Sequence, residues 1–407
     1  MTVIEVPVPS LDSEELSWSP VNPDMLSRRE VQRQTGIYRA ALVPEIAGWE
    51  VHLPAEMHAD VDDATGALAR VDGFAAGKLG AGDRIGSPMP AILLRTESAS
   101  SSQIEQLTTS ALQLALAAID ETTKANATTV LGNVHAMETA IGVSGEISLQ
   151  SILDMHRALL KSDRMMASEA GRFREQQVWI GPGRSGPLLA DFVPPAHRRI
   201  PPAMEDLVEF IAREDLPVLV QAAVAHAQFE TIHPFADGNG RTGRALVHAI
   251  LKEKGLVTTS VIPISAGLLT DIGAYFAALG AFRSGDAGPI IAQFTRAARF
   301  ASHAGRQLMD ELLTVLQEMK QALAGVRRDS ASWTLLPTLI AQPVVNLSFV
   351  AAALGTSQVT ALRAIDTLVD RGILIEETGR RRNRVWRQPG VLSVLDDFAD
   401  SARRSGR

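Results

Sequence analysis

One stretch of twelve residues, 233–244, limits what this chain of 407 residues can fold into. It reads HPFADGNGRTGR and lies between two segments with helical patterns, residues 216–230 and 241–253. Three glycines and a proline interrupt the helical pattern there, so we predict a loop between two helices. The first of these helices has almost no polar face, which indicates that it is central and buried.

The end of this loop suits phosphate binding. A loop that leads into a helix beginning at Arg241 presents backbone N–H groups that have no partner within the helix. Gly238 and Gly240 carry no Cβ, so the backbone can approach an anion closely. Arg241 and Arg244 are three residues apart on the first turn, so both guanidinium groups can reach the same polyphosphate.

Two further residues of the stretch offer reactive chemistry. Asp237 supplies a carboxylate for Mg²⁺, the usual partner of nucleotide phosphates. His233 suits a general base, because the unperturbed pKa of histidine is about 6.5. A glycine-rich connection with a purely structural role would need neither group, so the pattern favours a nucleotide site.

The stretch resembles the Fic motif, HPFxDGNGRxxR, and matches every defined position. Fic enzymes typically transfer AMP from ATP to a Ser, Thr or Tyr hydroxyl of a target protein, with Mg²⁺ bound to the ATP. The resemblance implies a catalytic base at His233, a Mg²⁺ ligand at Asp237 and a loop anchor at Phe235. It also implies an anion hole formed by Gly238, Asn239 and Gly240, and phosphate binding by Arg241 and Arg244.

Segments outside the motif resemble the same family. Residues 226–232, HAQFETI, look like the helix that precedes the motif, and residues 177–181, QVWIG, look like its target-docking flap. By this resemblance Val178, Trp179 and Ile180 would bind the target backbone as an added strand, although an ordinary edge strand would read the same way. Tyr275 stands where the family commonly has a tyrosine near the adenine. The similarity covers roughly residues 60–390.

A serine-rich segment fits an inhibitory motif found in many Fic proteins, [S/T]xxxE[G/N]. Ser101 and Glu105 match it, but Gln106 stands where Gly or Asn is expected. The resemblance implies that Glu105 pairs with Arg244 and blocks productive ATP binding. The other interpretation is a solvated helix carboxylate.

The C-terminal segment predicts a winged helix. Helices over 335–341, 348–354 and 358–371 precede two short strands, 373–375 and 384–387, with a basic tip between the strands. Arg380, Arg381 and Arg382 at that tip are compatible with DNA phosphate contacts, with a protein-interaction role or with simple solvation.

The predicted fold class is mainly α: a Fic-type helical domain with a short β-hairpin flap, followed by a C-terminal winged helix-turn-helix domain. Its predicted parts are an extended arm (1–45), a helical region with the inhibitory helix (46–125), the catalytic core (126–325) and the winged helix (330–407). The predicted activity is adenylyl transfer to a protein. The same loop is compatible with removal of AMP, with transfer of another phosphate group, or with a nucleotide sensor in a DNA-binding regulator.

Composition narrows the setting of this chemistry. There are no cysteines, which excludes disulfides and thiolate sites in this sequence and fits a reducing compartment. A net charge of −7 argues against nucleic-acid binding through overall charge. No apolar run approaches the roughly 18 residues of a membrane span, and the N-terminus does not resemble a secretory signal. We therefore expect a cytoplasmic protein with a protein target, self-modification, no membrane contact, and homo-oligomers compatible with the sequence.

Overall fold

A computed structural model describes residues 5–20, 23–79, 89–122, 124–143, 145–161, 163, 165–181, 186–377 and 383–404. The chain forms two compact units, each assembled from three segments. The first unit contains Met1–Asp62, Thr139–Lys254 and Gly273–Thr295, and the second contains Asp63–Glu138, Gly255–Ile272 and Arg296–Arg407. The basic tip predicted at Arg380, Arg381 and Arg382 lies outside the described residues.

Up to Ala212, the described residues form two strands and seven helices. In order they are β1 (Asp12–Trp18), α1 (Arg28–Gln34), β2 (Gly36–Leu42), α2 (Ala55–Leu79), α3 (Met89–Ile104), α4 (Ala111–Ala117), α5 (Ala125–Gly142), α6 (Leu149–Leu160) and α7 (Ile200–Ala212). Short 3-10 turns occur at Pro23–Met25, Ala167–Glu169, Pro187–Leu189 and His197–Arg199.

The second part of the chain is again mainly helical. Its elements are α8 (Val218–Ile232), α9 (Asn239–Glu253), α10 (Ile264–Leu269), α11 (Ile272–Arg283), α12 (Gly288–Ala322), α13 (Ala331–Ala341), β3 (Val344–Asn346), α14 (Leu347–Leu354), α15 (Gln358–Asp370), β4 (Ile375–Glu376), β5 (Val385–Arg387) and α16 (Pro389–Arg404). Among the described residues, no helix is both long enough and apolar enough to cross a membrane.

Residues 1–45, predicted as an extended arm, contain regular structure. Strands β1 and β2 pair antiparallel, with Asp12 opposite Leu42 and Trp18 opposite Gly36. The five prolines of this region fall outside both strands, where their missing N–H groups cost no ladder hydrogen bond. Ser27 starts α1 with a capping box, accepting from the Glu30 N–H. A segment that proline content suggested to be irregular therefore forms a small sheet.

The core of the first unit is α8, as its apolar sequence predicts. Every residue from Leu219 to Ile232 is buried. Helices α7 and α9 pack along it, and α6 packs against α9. Ser148 caps α6 by accepting from the Ser151 N–H, as predicted. The loop between α8 and α9 is thus set on the most buried helix of this unit.

The C-terminal part of the second unit has the predicted order of three helices and two strands, with one strand more. Strands β3, β5 and β4 form an antiparallel sheet in that order, with Val345 opposite Trp386 and Ile375 opposite Arg387. Asn346 caps α14, and Gly355 ends it in the left-handed conformation (φ 58°). Strand β3 was missed because it has only three residues and is defined by its pairing with β5.

Candidate active site at the 233–244 loop

The loop leaves α8 and enters α9 through two left-handed residues. His233 has φ 50° and ψ 60°, and its N–H donates to the Phe229 carbonyl at 2.8 Å. Gly238 has φ 76°, and a Cβ at this position would meet Leu159 Cδ2 at 2.7 Å. Glycine is therefore favoured at 238, because a side chain there would be strained by the left-handed backbone and would displace the end of the Leu159 side chain.

Asn239 closes the loop from inside. Its side-chain oxygen accepts from the Phe235 N–H and its amide donates to the Phe235 carbonyl, each at 2.9 Å. Phe235 is fully buried and stacks on the His156 ring, with centroids 3.7 Å apart and planes inclined by 11°. The Asn239 side chain thus fixes the backbone of the loop.

His156 is a support that the sequence did not reveal. Its Nδ1 accepts from the Gly171 N–H, so Nε2 carries the proton and donates to the Asp237 carbonyl, with both distances 3.0 Å. Burial, with a smaller contribution from Arg241, lowers the pKa of His156 to about 4. The imidazole therefore stays neutral near pH 7 and holds the loop backbone at Asp237.

Arg174 is a second support that was missed. Its buried guanidinium donates to three carbonyl oxygens, those of His233 (2.9 Å), Gln176 (3.0 Å) and Pro195 (2.7 Å). Its own N–H donates to the Pro234 carbonyl at 2.9 Å. Burial lowers the pKa of Arg174 to about 10, so the guanidinium group remains charged at pH 7. Arg174 joins the 233–244 loop to residues 176–195.

His233 keeps a small exposed surface, 20% of its side chain. Its Nδ1 lies 3.7 Å from Glu230 Oε2. Burial, then the positive charges of Arg174 and Arg283, lower the pKa of His233 to about 3. The imidazole is therefore neutral at pH 7 and has the protonation state that a proton acceptor requires.

The start of α9 brings together a helix terminus and two arginines. The Thr242 N–H donates to the Gly238 carbonyl, so the N–H groups before Thr242 belong to the first turn of α9. N–H groups of a first turn have no acceptor within their own helix. Both Arg241 and Arg244 are buried, and Arg241 Nη2 donates to Asp237 Oδ2 at 3.2 Å. These groups give the loop a positive character that suits an anion.

A metal ion would find one carboxylate in this loop. The Asp237 side chain is 51% exposed and can turn outward from Arg241. No group of three or more His, Cys, Asp or Glu in the described part of the chain could hold a metal alone. Mg²⁺ commonly binds through one carboxylate together with substrate phosphates, and Asp237 fits that requirement.

Tyr275, expected near a nucleotide, is almost fully buried, at 1% exposure. Its hydroxyl is 2.8 Å from His226 Nε2, and the two rings stack at 6.0 Å. Burial and the nearby Arg244 lower the pKa of His226 to about 3. Tyr275 therefore packs against His226 of α8, while its neighbour Phe276 is exposed.

In the segment predicted as a hairpin flap, the described residues form one antiparallel bridge. The Ile180 N–H donates to the Phe192 carbonyl at 2.8 Å, and the reverse bond is 3.1 Å long. Trp179 packs edge-on against Trp18 of β1, with centroids 5.5 Å apart, and Val178 is half-buried beside it. Trp179 therefore packs against the small sheet of β1 and β2.

The predicted regulatory residues belong to the second unit. Ser101 is fully buried on α3, and Glu105 directly follows the last residue of that helix. Gln106 has φ 63°, a conformation that glycine and asparagine adopt more readily than glutamine. The preference for Gly or Asn at this position in the motif has a physical reason in that backbone.

Comparison with known proteins identifies the segment that carries the loop. Residues 146–251 match the model of the Fic/DOC family. Protein adenylyltransferase fic-1 of Caenorhabditis elegans is 31% identical over 149 residues, which are 36% of this chain and 26% of the relative. Protein adenylyltransferase Fic of Nematostella vectensis is 35% identical over 133 residues, which are 31% and 29% of the two chains. The match thus spans less than a third of these curated relatives.

A solved structure extends the similarity of fold. A Fic family protein from Desulfovibrio desulfuricans G20 superposes with a TM-score of 0.51 at 20% identity, over 81% of this chain and 95% of the other. At this identity the likeness concerns the fold alone. The chain therefore contains a Fic domain around the 233–244 loop, as its motif predicts, and has the fold of a Fic family protein over most of its length.

Proposed function

We propose that this protein is a protein adenylyltransferase that transfers AMP from ATP to a Ser, Thr or Tyr hydroxyl. The observation that carries the proposal is the 233–244 loop, which presents a neutral imidazole beside a helix N-terminus and two arginines. The loop lies in a segment that is similar to relatives named protein adenylyltransferase.

The N-terminus of α9 binds the ATP phosphates. The backbone N–H groups of Asn239 and Gly240 point along the helix axis towards the anion, and Arg241 and Arg244 add charge-assisted hydrogen bonds. Asp237 would hold Mg²⁺, which neutralises phosphate charge when it is bound. These groups hold the α-phosphate in place and stabilise the charge that develops on its oxygens.

His233 accepts the proton of the target hydroxyl. The hydroxyl oxygen forms a bond to the α-phosphorus, the bond to the oxygen bridging the α- and β-phosphates breaks, and pyrophosphate leaves. A bound polyphosphate offsets the positive charges of Arg174 and Arg283, so it raises the pKa of His233 from about 3 towards the working range of a base. Val178, Trp179 and Ile180 present the target segment as an added strand.

The position of the label on ATP tests the reaction. The protein is incubated with cell lysate and ATP labelled at either the α- or the γ-phosphate. The proposal expects protein-bound label from α-labelled ATP only, on Ser, Thr or Tyr. Transfer of the γ-label would indicate a different phosphate-group transferase. Release of AMP from a modified target, without labelling, would indicate the reverse reaction.

We further propose that Glu105 restrains this activity. The support is the match of Ser101 and Glu105 to the inhibitory motif and the left-handed backbone at Gln106. Glu105→Gly should raise self-modification several-fold, whereas the matched control Gln106→Gly keeps the carboxylate and should not. Equal self-modification by the two variants and the unchanged protein would contradict the inhibitory role.

We infer that the C-terminal elements, α13 to β5, form a winged helix that contacts protein. The support for the fold is the three-stranded sheet beside α13, α14 and α15. The exposed face of α15 carries Val359 (61% exposed) and Leu362, and the charges of this helix are Arg363, Asp366 and Asp370, which sum to one negative charge. DNA phosphates would favour a basic helix face instead. Val359→Glu should weaken a protein contact, including one with a second copy, as measured by light scattering.

A further inference from the structure

A cavity of about 1000 Å³ opens within the second unit. Its walls come from α3, α4, the first turn of α5 and α16, and none of the residues of the 233–244 loop line it. Small-molecule sites typically measure about 300–1,000 Å³, so this cavity can hold a metabolite-sized ligand.

Part of the cavity lining is apolar. Ile92 of α3, Leu114 of α4, and Leu395 and Phe398 of α16 line it, together with Pro343. Apolar walls of this kind favour a ligand with a hydrocarbon body, because its burial removes apolar surface from water.

A cation that forms no ion pair among the described residues lines the same cavity. Arg95 donates from Nη1 to the Ala341 carbonyl and to Gln342 Oε1, both at 2.6 Å, and both acceptors are neutral. Burial lowers its pKa, opposed by the Glu138 carboxylate, which forms no ion pair with Arg95 among the described residues. A desolvated guanidinium held only by neutral groups is stabilised when an anion arrives beside it.

The acidic groups of the cavity are already engaged. Asp400 pairs with Arg403 at 3.1 Å, and Asp396 Oδ1 accepts from the Ala111 N–H at 3.2 Å. Lys124 also lines the cavity and forms no ion pair in the described part of the chain. Asp396 keeps its negative charge, because its partner is a neutral N–H group. With Arg403, the lining carries three cations and two carboxylates, so its net charge is positive by one.

We propose that this cavity binds a small organic acid, with its carboxylate against Arg95 and its hydrocarbon body against the apolar wall. An arginine fork matches the two oxygens of a carboxylate, and Lys124 adds a second positive charge. Gln103, Thr109 and Asn126 line the cavity as well and offer neutral hydrogen-bonding groups for further polar atoms of the ligand.

The cavity adjoins α3, which carries Ser101 and ends directly before Glu105. Ile92, Arg95 and Gln103 of α3 line it directly. A ligand that bridges α3 and α16 holds α3 in place and, if the proposed function and the inhibitory role of Glu105 hold, lowers self-modification. This regulatory step rests on the proposed function, whereas the binding step does not.

Calorimetric titration of the full chain tests the binding step. The probes are 4-phenylbutyrate and its neutral amide, 4-phenylbutyramide, which share the hydrocarbon body. We expect the acid to bind about tenfold more tightly than the amide, the equivalent of one charge-assisted hydrogen bond. Equal affinities, or no heat from either probe at millimolar concentration, would overturn the proposal.

Three variants locate the bound acid. Arg95→Gln should weaken its binding about tenfold, and Ala99→Phe, which places an aromatic ring on the cavity wall one turn along α3 from Arg95, should weaken it at least as much. The matched control is Arg371→Gln, because Arg371 also donates to two carbonyls, those of Ala322 and Ala324, but does not line the cavity. Should Arg95→Gln fail to fold, Lys124→Gln, at an exposed residue, replaces it with the same expectation of weaker binding. Unchanged affinity in Ala99→Phe would mean that the acid binds elsewhere.

Self-modification measures the regulatory step separately. Saturating 4-phenylbutyrate should lower the self-modification of the unchanged protein and leave the Glu105→Gly variant unaffected. Inhibition that persists in Ala99→Phe would show that the acid acts outside the cavity. Absence of all transfer activity would refute the proposed function while leaving the calorimetric result intact.

Discussion

The 233–244 loop and helix α3 are both held by buried polar groups, but the two regions use them differently. Around the loop, Arg174 and His156 reach in from other elements and bond to loop backbone, so His233 and Asp237 keep exposed surface. In α3 the polar side chains are themselves the anchors. The loop is therefore held by groups from outside it, whereas α3 is a structural helix whose proposed regulatory and ligand-binding groups lie at its end and on its cavity face.

The anchors of α3 run to three neighbours within its unit. Glu97, almost fully buried, accepts from the N–H and the hydroxyl of Ser265, which fixes α3 to α10. Arg95 bonds to the end of α13. Asn133 of α5 donates to the Ser98 carbonyl at 2.8 Å. A serine-rich segment that is a poor helix former by propensity is thus stabilised as a helix by its tertiary contacts.

The largest effect should follow from replacing His233, the proposed general base. His233→Asn keeps a residue that tolerates the left-handed backbone, so folding is expected to be nearly unchanged. Transfer of the α-label should fall by about 10²–10⁴-fold, the usual contribution of a general base. The matched control is His303→Asn, at an exposed histidine of the second unit. Label transfer that survives in His233→Asn would remove His233 from the mechanism.

The next largest effect concerns the supports of the loop. Arg174→Ala removes the donor of one buried and two partly buried carbonyls and should lower the free energy of unfolding by about 3 kcal/mol. A lysine can donate to only part of these carbonyls, so the stability of Arg174→Lys should lie between that of the unchanged protein and that of Arg174→Ala. Arg172→Ala, at an exposed neighbour, should change stability by less than about 0.5 kcal/mol. Similar urea midpoints for Arg174→Ala and Arg172→Ala would show that the loop is held by other contacts.

This contrast also explains what the sequence could predict. The loop and the buried α8 follow from local features, namely glycines, charges and apolar runs, and these predictions were correct. His156 and Arg174 precede their loop partners by 81 and 59 residues, so no local spacing indicates that they meet the loop. The β1–β2 pair was missed for a related reason: the prolines around it suggested an extended arm, and its pairing is fixed only by the folded chain. Long-range contacts of buried polar groups are what a single sequence conceals.

Acid sensitivity should also separate the two regions. The α3 segment contains no histidine, whereas the pKa of His226 beside the loop is lowered to about 3 by burial and by Arg244. Folded His226 therefore stays neutral between pH 6.5 and 3, while unfolded His226 takes up a proton, so acid favours unfolding in this range. The free energy of unfolding should fall by about 1.4 kcal/mol per pH unit from this residue alone.

Two histidine variants isolate that contribution. His226→Gln can keep the hydrogen bond to the Tyr275 hydroxyl but cannot titrate, so its urea stability should decline less steeply from pH 6.5 to 5. His52→Gln, at an exposed histidine, should follow the unchanged protein. Parallel pH curves for all three proteins would mean that His226 is protonated in the fold and that its burial is relieved by another group.

The smallest effect should come from loosening α3. Asn133 is fully buried, and its amide donates to the Ser98 carbonyl and to Ser102 Oγ, at 2.8 and 3.2 Å. Asn133→Ala should cost about 1 kcal/mol of stability, because two hydrogen bonds are lost and the carbonyl stays buried. Asn126→Ala removes one exposed bond to the Thr108 carbonyl and should cost less than about 0.5 kcal/mol. Equal urea midpoints for the two variants would show that α3 is held by its apolar residues, such as Ile92 and Leu93, rather than by its polar anchors, and would end the contrast with the loop.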